Sequence, residues 1–168
     1  PFSGADAIAL GFADHYVPHG KLQAFTETIV ADGVPAAVHA HAEEPPPSRL
    51  VAQREWIDQC FAGETITDIV VALRGHDDGL AHDAADLIST RSPVALAVTL
   101  ASVRRATGYT TLEEALVTEY RVSCAAVRSH DLVEGIRAQV VDKDRNPKWS
   151  PASLAAVSLR GGRASGEV

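Results

Sequence analysis

Apolar residues recur at three- and four-residue spacing along most of the 168-residue chain, and short polar turns interrupt them. A first helix is predicted over residues 3–11, with Ser3 as N-cap and Gly11 as stop. Residues 12–17 read as a short extended piece closed by Pro18. Residues 21–31 are amphipathic, with Leu22, Phe25, Ile29 and Val30 near one face, and Asp32-Gly33 ends them. The proline run over 43–48 lacks amide donors and must be loop.

Beyond that loop the pattern is helical almost to the end. Segments are expected over 51–61, 65–73, 80–90 and 93–106, where Pro93 suits a first turn because its missing N–H is an orphan there anyway. Thr65-x-x-Asp68 and Thr111-x-x-Glu114 read as capping boxes. The second opens a long helix that offers Leu112, Ala115, Leu116, Tyr120 and Val127 to a core. Asp131 through Glu134 repeats the capping logic, ahead of a stripe of Leu132, Val133, Ile136, Val140 and Val141. Residues 142–146 are a polar exit, Pro147 delays further helix, Ser150-Pro151 caps a last short one, and 160–168 read as a disordered tail. The fold class expected for this chain is therefore mainly α.

Composition narrows the function classes. Hydrophobic residues make up 46%, enough to bury a core, and only 5% are aromatic, which favours close helix packing over an aromatic-rich sheet. A formal charge of −7 without a basic cluster argues against a nucleic-acid partner, whose phosphates would need neutralising. No apolar run reaches the ~20 residues that span a bilayer, and the first residues lack a signal peptide's basic and apolar regions. Cys60 and Cys124 form no CxxC pair and read as packed thiols in a reducing cytoplasm, the compartment expected here.

Candidate chemistry is sparse. GxSxG, HExxH, P-loop and GxGxxG motifs are absent. His39 and His41 lie two apart, which suits a strand-borne metal pair, but Pro35 and the proline loop flank them. His76 and His82 among Asp77, Asp78 and Asp83 read as solvated helix starts. No metal ligand and no cofactor is assigned. One segment stands apart: after the 131–141 helix come the cations Lys143, Arg145 and Lys148, which can serve a helix dipole or meet a phosphate.

That segment, DLVEGIRAQVVDKDRNPKWSP over 131–151, resembles the C-terminal signature of 3-hydroxyisobutyryl-CoA hydrolases in the enoyl-CoA hydratase/isomerase (crotonase) superfamily. SPVALAVTLASVRRA from Ser92, TLEEALVTEYRVSCAAVRSHD from Thr111, REWIDQCFAGETITDIVVAL from Arg54 and SGADAIALGFADHYVP from Ser3 are similar to the preceding parts of that family. The resemblance implies an α/β parent fold, a ββα spiral, whose core ends over residues 1–20 and hands over to a helical C-terminal region at 21–159. It implies a 3-hydroxyacyl-CoA thioester as substrate, with coenzyme A entering only as part of it. Catalytic residues would lie in a half that precedes this chain, so none is assigned here. Lys143, with Arg145 beside it, matches the position that lies near CoA phosphates. The partners implied are acyl-CoA, the missing N-terminal half or neighbouring subunits, and further copies in a homo-oligomer. Two other activities fit the same residues: an enoyl-CoA hydratase or isomerase, and a non-catalytic helical packing module.

Overall fold

A computed structural model describes residues 2–157. It contains nine α-helices among the described residues, and the sole strand-like pairing there is an antiparallel bridge between Tyr16 and Glu43. Contacts divide the chain into two compact units, Pro1–Asp58 and Gln59–Val168. The tail expected over 160–168 lies outside the described residues.

In the first unit, α1 (Gly4–Ala9) opens with a capping box. The Ser3 hydroxyl accepts from the Asp6 amide, while the Asp6 carboxylate accepts from the Ser3 amide at 2.8 Å. The same carboxylate accepts from the Ser48 hydroxyl at 2.6 Å and the Leu50 amide at 3.2 Å. One buried Asp6 therefore fixes both α1 and the start of α4 (Arg49–Cys60), on either side of the proline loop. These hydrogen bonds, the one from Ser48 foremost, hold its carboxyl far below the ordinary carboxylate range.

Between them α2 (Leu22–Asp32) packs on α3 (Val34–His41). Gly33 joins the two at φ 87°, a left-handed conformation that glycine adopts without steric cost. The helix α3 corrects the strand considered for His39 and His41. Pro35 sits in its first turn, where no amide is required of it. His41 stands 2.9 Å from the Thr28 hydroxyl and edge-on to Phe25, as a packing residue between the two helices.

The second unit contains α5 (Ile66–Arg74), α6 (Gly79–Ser89), α7 (Pro93–Ala106), α8 (Leu112–Val127) and α9 (His130–Ile136). Thr65 and Asp68 form the expected capping box, as do Thr111 and Glu114. Ile69 and Leu73 on α5, and Ala81 and Ala85 on α6, are buried at four-residue spacing, and these two helices pack together. Large side chains on one helix and small ones on the other allow close approach. Arg104 of α7 donates to the carbonyls of Gly63 and Glu64 and ties that helix to the turn before α5.

Four expectations change here. The N-cap of α9 is Ser129, whose hydroxyl accepts from the Leu132 amide; Asp131 lies inside the first turn and is buried. The helix expected to run on through Val141 leaves α geometry at Arg137, and Arg137–Val141 form a π turn. The last helical piece is a 3-10 turn, Leu154–Ala156, and the preceding Ser150–Pro151 peptide is cis. The apolar faces assigned to a core are also exposed. Leu112 is 70% and Tyr120 72% exposed, no residue of α8 is buried, and Leu132, Val133, Ile136, Val140 and Val141 all face solvent.

Candidate functional site

The segment with chemistry begins at Asp131. It is 8% exposed and accepts hydrogen bonds from the Ser92 hydroxyl, the Ser150 amide at 2.8 Å and His130 Nδ1 at 3.1 Å. Burial pushes its carboxyl up, but the bonds from Ser92, Ser150 and His130 outweigh that and leave it below the ordinary range. Ser92 is also the N-cap of α7, accepting from the Ala95 amide at 3.1 Å. Asp131 thus joins the start of α7, the first turn of α9 and the chain at Ser150.

One turn along α9, Glu134 meets Arg137. Arg137 Nε donates to one carboxylate oxygen and Nη2 to the other, both at 2.8 Å, in a bidentate fork. The same guanidinium donates through Nη1 to Asp142 at 2.6 Å and Asp144 at 2.7 Å. Glu134 also accepts from the Lys148 amide at 2.6 Å. Arg137 holds the Glu134 carboxyl down at about 2 and lowers that of Asp144, while its own pKa rises above an already high value. Glu134 and Asp144 are consequently poor general bases near neutral pH, where a base needs a pKa close to the working pH.

The loop that follows is built around that guanidinium. The π turn ends with the Asp142 amide donating to the Arg137 carbonyl at 2.8 Å, and the Arg145 amide donates to the Ala138 carbonyl at 3.0 Å. Asp144 accepts from the Asn146 amide at 2.9 Å. Between these anchors, Lys143 at φ 57° and Arg145 at φ 53° both take the left-handed conformation. For residues other than glycine that conformation costs roughly 1–2 kcal/mol each, so surrounding bonds must impose it. The loop alternates as a result. Asp142 and Asp144 bond Arg137, whereas Lys143 and Arg145 are exposed and make no ion pair or side-chain hydrogen bond among the described residues.

Behind the loop, Trp149 donates from Nε1 to the Thr90 carbonyl at 3.0 Å and covers Gly135. No group of three or more His, Cys, Asp or Glu is placed to hold a metal ion among the described residues. Two clefts, of about 430 and 520 Å³, draw no wall from residues 131–150. Neither cysteine is disulfide-bonded; Cys60 is buried and Cys124 half-buried. No helix among the described residues is long and apolar enough to cross a membrane.

Of the three cations singled out from the sequence, Lys143 and Arg145 thus share one loop at alternate positions. Sequence reasoning passed over Arg137, which organises them, and took Asp131, which ties the region to α7, for a helix cap. A signal for Arg137 was present: a cation three residues after Glu134 on a helix, followed by two aspartates at alternate positions.

Known proteins resemble the chain over nearly its whole length. The family model described as enoyl-CoA hydratase/isomerase matches residues 1–161. Over 166 residues the chain is 31% identical to the protein named "3-hydroxyisobutyryl-CoA hydrolase, mitochondrial" from Mus musculus, covering 92% of this chain and 43% of that protein. A crystal structure described as a carnitinyl-CoA dehydratase from Mycobacterium thermoresistibile superposes with a TM-score of 0.89 at 63% identity, covering 95% of this chain and 46% of that one. A structure described as an enoyl-CoA hydratase from Rhodobacter sphaeroides gives a TM-score of 0.81 at 34% identity, covering 92% and 44%. The chain spans less than half the length of the relatives it matches. With a family model matched over nearly its whole length and a mainly helical fold shared with these structures, the chain belongs to the enoyl-CoA hydratase/isomerase family.

Proposed function

We propose that this chain is the C-terminal, CoA-contacting part of an acyl-CoA hydrolase that cleaves 3-hydroxyisobutyryl-CoA or a similar 3-hydroxyacyl-CoA to free acid and CoA. Lys143 and Arg145 meet phosphates of the CoA moiety, and no catalytic residue comes from this chain. The observation that carries the reading is the loop of residues 142–146, where two exposed cations stand clear of the carboxylates between and beside them. An unpaired Lys or Arg on an anchored loop is suited to a phosphate, because charge-assisted bonds to phosphate oxygens are strong and carry no competing ion pair to break. The similarity to proteins named 3-hydroxyisobutyryl-CoA hydrolase supports the thioester class. Engagement of Glu134, Asp142 and Asp144 by Arg137 supports the absence of a general base here.

A second reading draws on the 63% identity to a structure described as a carnitinyl-CoA dehydratase. In it the parent enzyme adds or removes water across the acyl chain and leaves the thioester intact. A thiol-trapping assay with 3-hydroxyisobutyryl-CoA separates the two, run on the chain alone and on a longer polypeptide that carries it. Thiol release by the longer polypeptide alone is the expected result. Hydration without thiol release would replace the hydrolase with the dehydratase reading. Release by the isolated chain would overturn the assignment of catalysis elsewhere.

The same proposal extends to assembly. The exposed apolar face of α8 is covered by a neighbouring copy or by the remainder of the enzyme, in keeping with a homo-oligomer.

A further inference from the structure

The segment 134–148 holds three carboxylates, Glu134, Asp142 and Asp144, and four cations, Arg137, Lys143, Arg145 and Lys148, in a chain whose net charge is −7. Two of those carboxylates flank Lys143 in sequence and one lies between it and Arg145. Left free, they would pair with the cations beside them and repel an incoming anion. They are not free: Arg137 binds all three, with distances of 2.6–2.8 Å. Its guanidinium can do this because its donors lie in a fixed planar fork, which a lysine ammonium lacks. The backbone responds with left-handed turns at Lys143 and Arg145, the residues on either side of Asp144.

We propose that Arg137 is a positioning residue for phosphate recognition. By gathering Glu134, Asp142 and Asp144 on one guanidinium it engages both loop aspartates and leaves Lys143 and Arg145 without an ion pair, exposed to an anion. This rests on the reading that those two cations contact CoA, and Arg137 itself touches no phosphate.

The test turns on a sign. Asp144→Asn removes a negative charge beside two proposed phosphate ligands. If the aspartate acted by charge alone, phosphate would bind more tightly to the variant. If it acts as an anchor, the loop loosens and binding weakens in spite of the more favourable charge. We would titrate coenzyme A into the 15N-labelled 168-residue chain by NMR, at fixed salt, for the native chain and for Asp144→Asn, Arg137→Gln, Arg137→Lys and the double variant Lys143→Ala/Arg145→Ala. The intraresidue NH–Hα distance at 143 and 145, short only at positive φ, reports loop geometry independently of ligand.

We expect the double variant to weaken binding about tenfold and Asp144→Asn about threefold, in line with loss of charge-assisted bonds and of a held geometry. Arg137→Gln should weaken it about fivefold, and Arg137→Lys, which keeps the charge without the fork, should recover only part of that. The positive-φ signature should fade in all three anchor variants. Tighter binding by Asp144→Asn, or full rescue by Arg137→Lys, with the double variant still weakened, would overturn the positioning role and leave the phosphate reading intact. A double variant that binds as the native chain does, or a native chain that does not bind, would overturn the phosphate reading and the proposal with it. Should Arg137→Gln fail to fold, the sign of the Asp144→Asn effect decides alone.

Discussion

The indole of Trp149 lies so close over Gly135 that a Cβ at that position would stand 3.3 Å from its Cη2. Glycine is ordinarily a poor residue inside a helix, and here it lets an aromatic ring rest on the helix backbone. The ring is then fixed at its far edge by the bond from Nε1 to the Thr90 carbonyl. Trp149→Phe loses both the bond and the outer ring atoms that rest on Gly135, so urea unfolding followed by circular dichroism should show a loss of about 1–3 kcal/mol. Gly135→Val, with a branched side chain aimed at the ring, should destabilise the chain through the same contact.

A second glycine gives a sharper contrast. A Cβ on Gly63 would fall 2.8 Å from the Asp68 Cβ and 3.1 Å from the Ile69 amide nitrogen, so Gly63→Ala must displace backbone. The expected loss is about 1–3 kcal/mol, the range for overpacking. Gly20 has nothing within 4 Å of such an atom. Gly20→Ala should therefore stay within about 0.5 kcal/mol of the native chain.

Acid should loosen the Arg137 cluster in a definite window. The Glu134 carboxyl has an ordinary value of 4.5 and is held at about 2 in the fold, chiefly by Arg137 and then by the Lys148 amide. A depressed carboxylate contributes stability that is fully present above its unfolded pKa and is lost as pH falls through the folded one. The stability difference between the native chain and Glu134→Gln should hence be constant above pH 4.5 and shrink between 4.5 and about 2. Equilibrium unfolding at several pH values reads this directly; a difference that grows on acidification would contradict it.

The exposed face of α8 should drive association. Leu112, Leu116 and Tyr120 follow one another at four-residue spacing, each more than half exposed. Such a contiguous apolar stripe favours burial against another surface. Multi-angle light scattering should give the purified chain a mass above 17.8 kDa. Leu116→Glu combined with Tyr120→Glu should return it toward that value, and an unchanged native monomer would argue against the proposed homo-oligomer.

Much of the helical architecture was legible because its signals are local. Thr65 with Asp68 and Thr111 with Glu114 mark helix starts through bonds spanning three residues, and a reader of sequence needs nothing more. Ser92 before Pro93 behaves likewise. Asp131 misled for the opposite reason. Its type and spacing imitate a cap, yet its partners are Ser92 and Ser150, 39 and 19 residues away. The apolar stripes on α8 and α9 gave the helix period correctly, but period says which face is apolar and not what covers it. Lys143 and Arg145 stood out as charges; the guanidinium that arranges their loop was hidden within a stretch that reads as ordinary amphipathic helix.

The π turn at Arg137–Val141 bears on how this region can change over time. An α-helix that accommodates one extra residue in a turn shifts everything after it by about 100°. The alternation of 142–145 depends on that phase, since a shift of one position would exchange aspartates for cations at Arg137. A substitution such as Asp144→Asn removes one bond of the cluster, whereas a single-residue deletion would invert the loop's polarity. Length is therefore constrained in this stretch alongside the identity of Arg137, Asp142 and Asp144, and insertions or deletions there should be rare among functional variants.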